Sequence, residues 1–179
     1  MDRSIVEAAR AGDRPAFDAL VRMEVDRVYR LALAITGNEA DASDATQDAF
    51  LQAWRSLSDL RDSGTFDAWL TRITVNSSRM TLRSRRRRLV REIAVADVDP
   101  QAPRPAFAPS PAEDGLALRA ALARLPVEQR TLLALRHLEG RGIPEMAAIL
   151  GIPGGTVKSR LFAARQALAR SLALEAADD

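Results

Sequence analysis

At 179 residues the chain has room for one ordinary domain or two small ones, which excludes a large multidomain enzyme. It has no Cys and a single His, His137, so disulfides, thiolate metal sites and cysteine nucleophiles are excluded and general bases are scarce. The 26 Lys+Arg nearly balance the 24 Asp+Glu, but unevenly: residues 1–62 carry a net −4, 63–91 a net +7, 92–112 a net −2 and 113–179 a net +1. An acidic block followed by a sharply basic one suits two partners of opposite charge. There is no membrane-length apolar run, and the N-terminal MDRSIVEAARAGD is charged where a leader needs an apolar core. A cytoplasmic chain with no membrane insertion is expected.

In chain order, a short N-terminal helix precedes three better ones. Over 15–36, Phe17, Leu20, Val21, Val28, Leu31 and Ile35 recur at helical spacing, and Gly37 is a plausible stop. Over 39–57, Thr46, Ala49, Phe50, Ala53, Trp54 and Leu57 make one face, with Asp44, Asp48, Leu51 and Arg55 opposite and Gln47 on the flank. Over 66–83 the expected buried stripe is Phe66, Trp69, Leu70, Ile73 and Met80. Trp54 and Trp69 are read as core anchors, with a base-facing role left open for Trp69. Five of the nine prolines fall between Pro100 and Pro111, so residues 92–112 read as an extended linker between a domain at 1–91 and another at 113–179.

The second domain also reads as helical. Leu118, Ala121, Leu122 and Leu125 define a helix stopped by Pro126, which can itself occupy the first position of the next. Leu132, Leu133, Leu135 and Leu138 bury that next helix, and His137 is expected to be an ordinary, partly buried residue. A short helix at about 144–150 carries Met146, Ala147 and Leu150 and is stopped by Gly151. A longer one follows from about 154 to 172, with Val157, Leu161, Ala164, Leu168 and Leu172 inward. Short helix, Gly-containing turn and longer helix match a helix-turn-helix, so the fold class is all-α, two small helical domains, the second a four-helix helix-turn-helix unit.

Three faces stand out. The last helix has four cations (Lys158, Arg160, Arg165, Arg170) and no acid between Gly151 and Leu174. Its first turn, Gly154-Gly155-Thr156, offers free N–H groups to a phosphate, and Lys158, Ser159 and Phe162 project where recognition helices meet base edges. Arg72, Asn76, Arg79 and Arg83, continued by Arg85–Arg88, form a second nucleic-acid surface, Asn76 suiting a base edge and the arginines phosphate. On the acidic helix Asp48 lies beyond the reach of the N-terminal dipole, so Asp44 and Asp48 point to a cationic protein partner. GIPGGTVKS does not satisfy the P-loop spacing, because Thr156 and Val157 stand where Gly and Lys are required. No nucleophile, metal set or catalytic His is evident, so neither an enzyme, a cofactor nor a small-molecule substrate is expected.

Asp41-Ala42-Ser43-Asp44-Ala45-Thr46-Gln47-Asp48-Ala49-Phe50, Phe66-Asp67-Ala68-Trp69-Leu70-Thr71-Arg72-Ile73-Thr74-Val75-Asn76, Leu125-Pro126-Val127-Glu128-Gln129-Arg130 and Gly155-Thr156-Val157-Lys158-Ser159-Arg160-Leu161 occur in that order, divided by the Pro-rich stretch. In this the chain resembles the extracytoplasmic-function (group IV) RNA polymerase sigma factors of the sigma-70 family. The resemblance covers nearly the whole chain except the linker and the last residues. It implies that Asp44, Gln47 and Asp48 contact the clamp helices of core RNA polymerase. It implies that Asn76, Ile73, Leu60 and Ser56 shape a pocket for a flipped −10 base, and that the loop Arg61, Asp62, Ser63, Gly64 and Thr65 confers promoter choice. Trp69, Arg72, Arg79 and Arg83 belong to the same −10 surface, while Gly155, Thr156, Lys158, Ser159, Arg160, Phe162 and Arg165 form the −35 reader. An anti-sigma protein covering the polymerase-binding face is a further implied partner. Departures from the family pattern are Ala163 in place of a basic residue, Gly154 in the recognition helix's first turn, and Arg141-Gly142-Ile143-Pro144 before the short helix. A stand-alone helix-turn-helix regulator with a dimerising N-terminal half, and a helical interaction protein whose basic block binds RNA or acidic proteins, are the rival readings.

Overall fold

The computed structural model describes residues 3–95 and 113–178, and every regular element among them is helical. Helices α1 (Arg3–Arg10), α2 (Arg14–Thr36), α3 (Glu39–Ser56) and α4 (Phe66–Val95) make the first half; α5 (Glu113–Ala123), α6 (Val127–Leu133), α7 (Ile143–Leu150) and α8 (Gly154–Asp178) make the second. A 3₁₀ turn, Leu57–Asp59, extends α3; another, Ser63–Thr65, leads into α4; and a π-helical turn, Ala134–Leu138, continues α6. No helix among the described residues is long and apolar enough to cross a membrane.

Local chemistry sets the boundaries. Asp13 caps α2 by accepting the Ala16 N–H at 3.2 Å, with Pro15 in the first turn where no donor is missed. The helix ends at Gly37, φ 82°, whose N–H donates to the Leu33 carbonyl at 2.8 Å. Asn38 then caps α3 by accepting from the Asp41 N–H at 2.8 Å. Between α7 and α8, Gly151 takes the left-handed conformation at φ 65°, closing the helix-turn-helix corner. The unusual Arg141–Pro144 lead-in to α7 is capped: the Glu145 carboxylate accepts the Gly142 N–H at 2.8 Å.

The first-half core gathers Val6, Leu20, Val28, Ala53, Leu57, Phe66, Leu70 and Ile73 between α1–α4. A small alanine seam, Ala32, Ala42 and Ala45, lets α2 and α3 approach closely. The second core contains Leu132, Leu135, Met146, Val157, Leu161 and Ala164, and also Leu31, Ile35 and Val75 from the first half. Thus α2 presents one face to each half, and the second core extends across the boundary onto α2 and α4. Full burial of each Val, Leu, Ile, Phe or Met side chain among them contributes about 1.5–3 kcal/mol.

Several sequence expectations are corrected. Met80, Leu118 and Leu138 are 63%, 42% and 46% exposed rather than buried. Along α4 the inward positions beyond Ile73 are, apart from Val75, mostly small and polar: Thr74, Ser78 and Thr81 are buried and donate to the carbonyls four residues back. Trp54 is not a core anchor but lies on a groove rim, its ring 4.9 Å from that of Phe17. His137 is exposed. Pro126 precedes α6 as its cap residue rather than occupying its first position. α4 continues through Val95, past its expected end and into the expected linker; the remainder of that linker lies outside the described residues.

Candidate polymerase and nucleic-acid interfaces

Helix α3 places Asp44, Gln47 and Asp48 in solvent. Beside them, α2 and α3 enclose an apolar groove of about 560 Å³, lined by Phe17, Val21, Val25, Tyr29, Phe50, Leu51 and Trp54, with Asp18, Asp26, Arg14 and Gln47 among its polar residues. At 100° per residue, Asp44 falls beside Leu51, and Asp48 lies one step farther round. The surface therefore combines an apolar trough with flanking carboxylates, which suits a helical partner carrying cations.

A larger cavity, about 850 Å³, opens on the other side of α3 and α4. Ser56, Leu60, Arg61, Thr65, Trp69, Arg72, Ile73 and Asn76 all line it, together with Gln52, Asp59, Ala68, and Ala148 and Ile149 from α7. Leu60 and Ile73 are buried and form apolar walls; Arg72 and Asn76 are exposed one turn apart on α4. Trp69 is half-buried against Phe66 at 5.8 Å between ring centroids and also lines the cavity. The loop before α4 is held from within. Asp62 accepts the Gly64 N–H at 2.8 Å, the Thr65 hydroxyl donates to the Asp62 carbonyl at 2.8 Å, and buried Ser63 donates to Glu7 at 3.1 Å. Asp62, Ser63 and Gly64 thus shape the loop, while Arg61 and Thr65 reach the cavity.

On α8 the inward Val157, Leu161 and Ala164 fix which face turns outward. Gly155, Lys158, Ser159, Arg160 and Arg165 are exposed, Thr156 is partly buried, and Phe162 is 65% exposed on a cationic helix. The Ser159 hydroxyl donates to the Thr156 carbonyl at 3.1 Å.

Residues 20–88 match the family Sigma-70 region 2 and residues 115–168 match Sigma-70, region 4. The chain is 40% identical over 171 residues to the ECF RNA polymerase sigma factor SigM of Mycobacterium tuberculosis, covering 96% of this chain and 84% of that one. The chain belongs to the extracytoplasmic-function RNA polymerase sigma factors. It is also 41% identical over 165 residues to SigE of Mycolicibacterium smegmatis, covering 89% of this sigma factor but 62% of SigE's length. Among solved structures it is similar to the sigma factor RpoE in complex with the anti-sigma factor NepR from Bartonella quintana: TM-score 0.69, 27% identity, 87% of this chain and 96% of that one. As a sigma factor it is a transcription regulator, and a stand-alone helix-turn-helix regulator is not favoured.

Sequence reasoning missed the charged groups that join the two halves of this sigma factor. Arg27 of α2 bonds Glu24 at 2.6 Å and Glu139 at 2.5 Å, and lies 3.1 Å from Asp67 and from the Thr71 hydroxyl. Arg141 bonds Asp67, and lies 3.2 Å from Thr71, 3.4 Å from Glu145 and 3.6 Å from Glu139. Burial works against both guanidinium charges, but hydrogen bonds (Glu24 on Arg27, Asp67 on Arg141) and neighbouring carboxylates outweigh it, holding both above the ordinary arginine value. Arg79 and Arg130 behave oppositely. Burial lowers each, with Glu128 as the opposing influence, and Arg83 and Arg160 push Arg79 further down. Both pairs leave a buried guanidinium nitrogen without a hydrogen-bond partner among the described residues: Nη2 of Arg27 and Nε of Arg141, Arg79 and Arg130. At the basic end of α4, Arg85 is tied to Asp41 at 2.6 Å, which leaves Arg86, Arg87 and Arg88 exposed. No single residue type or spacing announces a cluster whose members lie 74 and 112 positions apart.

Proposed function

We propose that this sigma factor carries core RNA polymerase to promoters by dividing the task among these three surfaces. Asp44, Gln47 and Asp48, with the apolar groove beside them, receive the clamp helices of the polymerase. The cavity around Ser56, Leu60, Trp69, Ile73 and Asn76 accepts a −10 base turned out of the stack; Arg61 and Thr65 border it, and Arg72, Arg79 and Arg83 hold the strand. A base read on its edges must first be unstacked, costing a few kcal/mol, so the pocket needs apolar walls, a donor–acceptor side chain and cations for the backbone. Helix α8 reads the −35 element as duplex through Lys158, Ser159, Arg160 and Phe162, while Gly155, Thr156 and Arg165 meet phosphate.

The observation that carries this reading is the gathering of eight candidate −10 residues, from three separate segments, around one cavity. The protein acts without catalysis of its own and in the cytoplasm, where polymerase and promoter are found. By analogy with RpoE, whose structure contains NepR, an anti-sigma protein occupies the α3 face when transcription is off. The test is initiation in vitro: purified core polymerase with this chain should select a promoter subset from a library that core alone ignores. Unchanged initiation in the chain's presence overturns the reading.

A further inference from the structure

Helix α1, Arg3–Arg10, lies outside residues 20–88, the part of the first half that matches Sigma-70 region 2, and none of the three surfaces described above uses it. It is nevertheless firmly seated. Val6 is fully buried and Ala9 is 3% exposed, in the same core as Leu57, Leu60 and Phe66. α1 packs against α2 and against both 3₁₀ turns, Leu57–Asp59 and Ser63–Thr65, which lie on either side of Leu60, Arg61 and Asp62.

The bonds from Asp62 to Gly64 and Thr65 are local to the loop before α4. The Ser63 hydroxyl instead reaches 56 positions back, donating to the Glu7 carboxylate at 3.1 Å. Beside it the Arg3 guanidinium covers Gly64, where an added Cβ would run into Nη2. Ser63 is buried, whereas Arg61 and Thr65, two positions away on either side, are exposed and line the −10 cavity. The residue that α1 grips therefore stands between the two through which the loop reaches the cavity. Burial of Val6 and Ala9 is enough to attach the helix; the exposed Glu7 adds a directional contact to one loop side chain. A hydrogen bond to a carboxylate is stronger than one between neutral groups, and a misplacement of about 1 Å degrades a site built on contact geometry.

We propose that Glu7 is a positioning residue for promoter choice: acting through Ser63, it fixes the loop so that Arg61 and Thr65 discriminate the base admitted to the −10 cavity. The proposal rests on the reading of that cavity given above.

The test uses holoenzyme assembled from the full chain and core polymerase. Its templates are four duplexes of one library-selected promoter, differing only at the −10 position where selection is strongest. Initiation rates on the four give a discrimination ratio, preferred base over the next best. Glu7→Ala should lower that ratio about tenfold, within the range that one well-placed base contact supplies, with core binding and far-UV circular dichroism unchanged. Should Glu7→Ala lose helicity, Ser63→Ala carries the test. Glu7→Gln, whose amide oxygen accepts the same hydroxyl, should keep the ratio within about twofold. Ser63→Ala should match Glu7→Ala, and the two together should be no worse than either, as for partners in one interaction. A ratio unchanged by both alanine variants, or a Glu7→Gln loss equal to that of Glu7→Ala, overturns the proposal. So does an equal fall in rate on all four templates, the mark of a contact that only stabilises. Asn76→Ala separates two levels of failure. If it abolishes discrimination while Glu7→Ala does not, α1 has no part in reading and the cavity stands; if neither changes the ratio, the assignment of the cavity itself fails.

Discussion

Glu145 shows how one side chain compensates for an unusual helix start. Its carboxylate accepts the Gly142 N–H, and that bond, opposed by slight burial and aided by Arg141, pulls its pKa below the ordinary 4.5. A carboxyl depressed in the folded state contributes stability that is present above its unfolded value and lost as the pH falls through the folded one. The melting temperature lost on Glu145→Gln should therefore be larger at pH 7 than at pH 3, and an equal loss at both would contradict the cap. At Asp48 the expected separation is between fold and association. The side chain is exposed, so Asp48→Arg should change stability by less than about 0.5 kcal/mol. Native-gel titration with core polymerase should nevertheless show complex formation lost, and retained association removes Asp48 from the proposed contact.

Among the elements, the α2–α3 corner and α8 make contrasting predictions. Gly37 needs φ 82°, and a Cβ added there would meet Arg130 Nη1 at 2.9 Å. Gly37→Ala should cost about 1–2 kcal/mol from the left-handed backbone alone, measurable by urea unfolding. On α8, Phe162 is 65% exposed and packs into no core, so Phe162→Ala should leave stability nearly unchanged. In polymerase holoenzyme it should weaken binding to −35 duplex by about tenfold, the scale of losing one good base contact. These elements were well marked in the chain: Gly37 and Gly151 stop helices where the periodicity breaks, and Val157, Leu161 and Ala164 fix the face of α8. α4 was less legible. Its buried Thr and Ser positions look polar on paper, and only their donation to carbonyls one turn back makes them acceptable inside. Met80, chosen as buried from spacing and hydrophobicity, points to solvent instead.

For the molecule as a whole, helical content and the ingredients of each reading surface could be drawn from sequence, but the union of the halves could not. Leu31, Ile35 and Val75 are indistinguishable by type from residues serving their own half, and Arg27 finds Glu139 across 112 positions. A core that crosses the boundary predicts shared unfolding. Calorimetry should show a single transition, and Leu31→Ala, which removes a fully buried side chain, should destabilise it by about 2–5 kcal/mol. Two separate transitions in the unaltered protein would show that the halves unfold independently.

Among the described residues, the groove between α2 and α3 is walled by residues from Arg14 to Trp54, all in the first half. A partner seated there would meet α2 and α3 alone. Docking in that trough should thus be insensitive to substitutions on α8, so that recruitment and sequence reading can be altered one at a time.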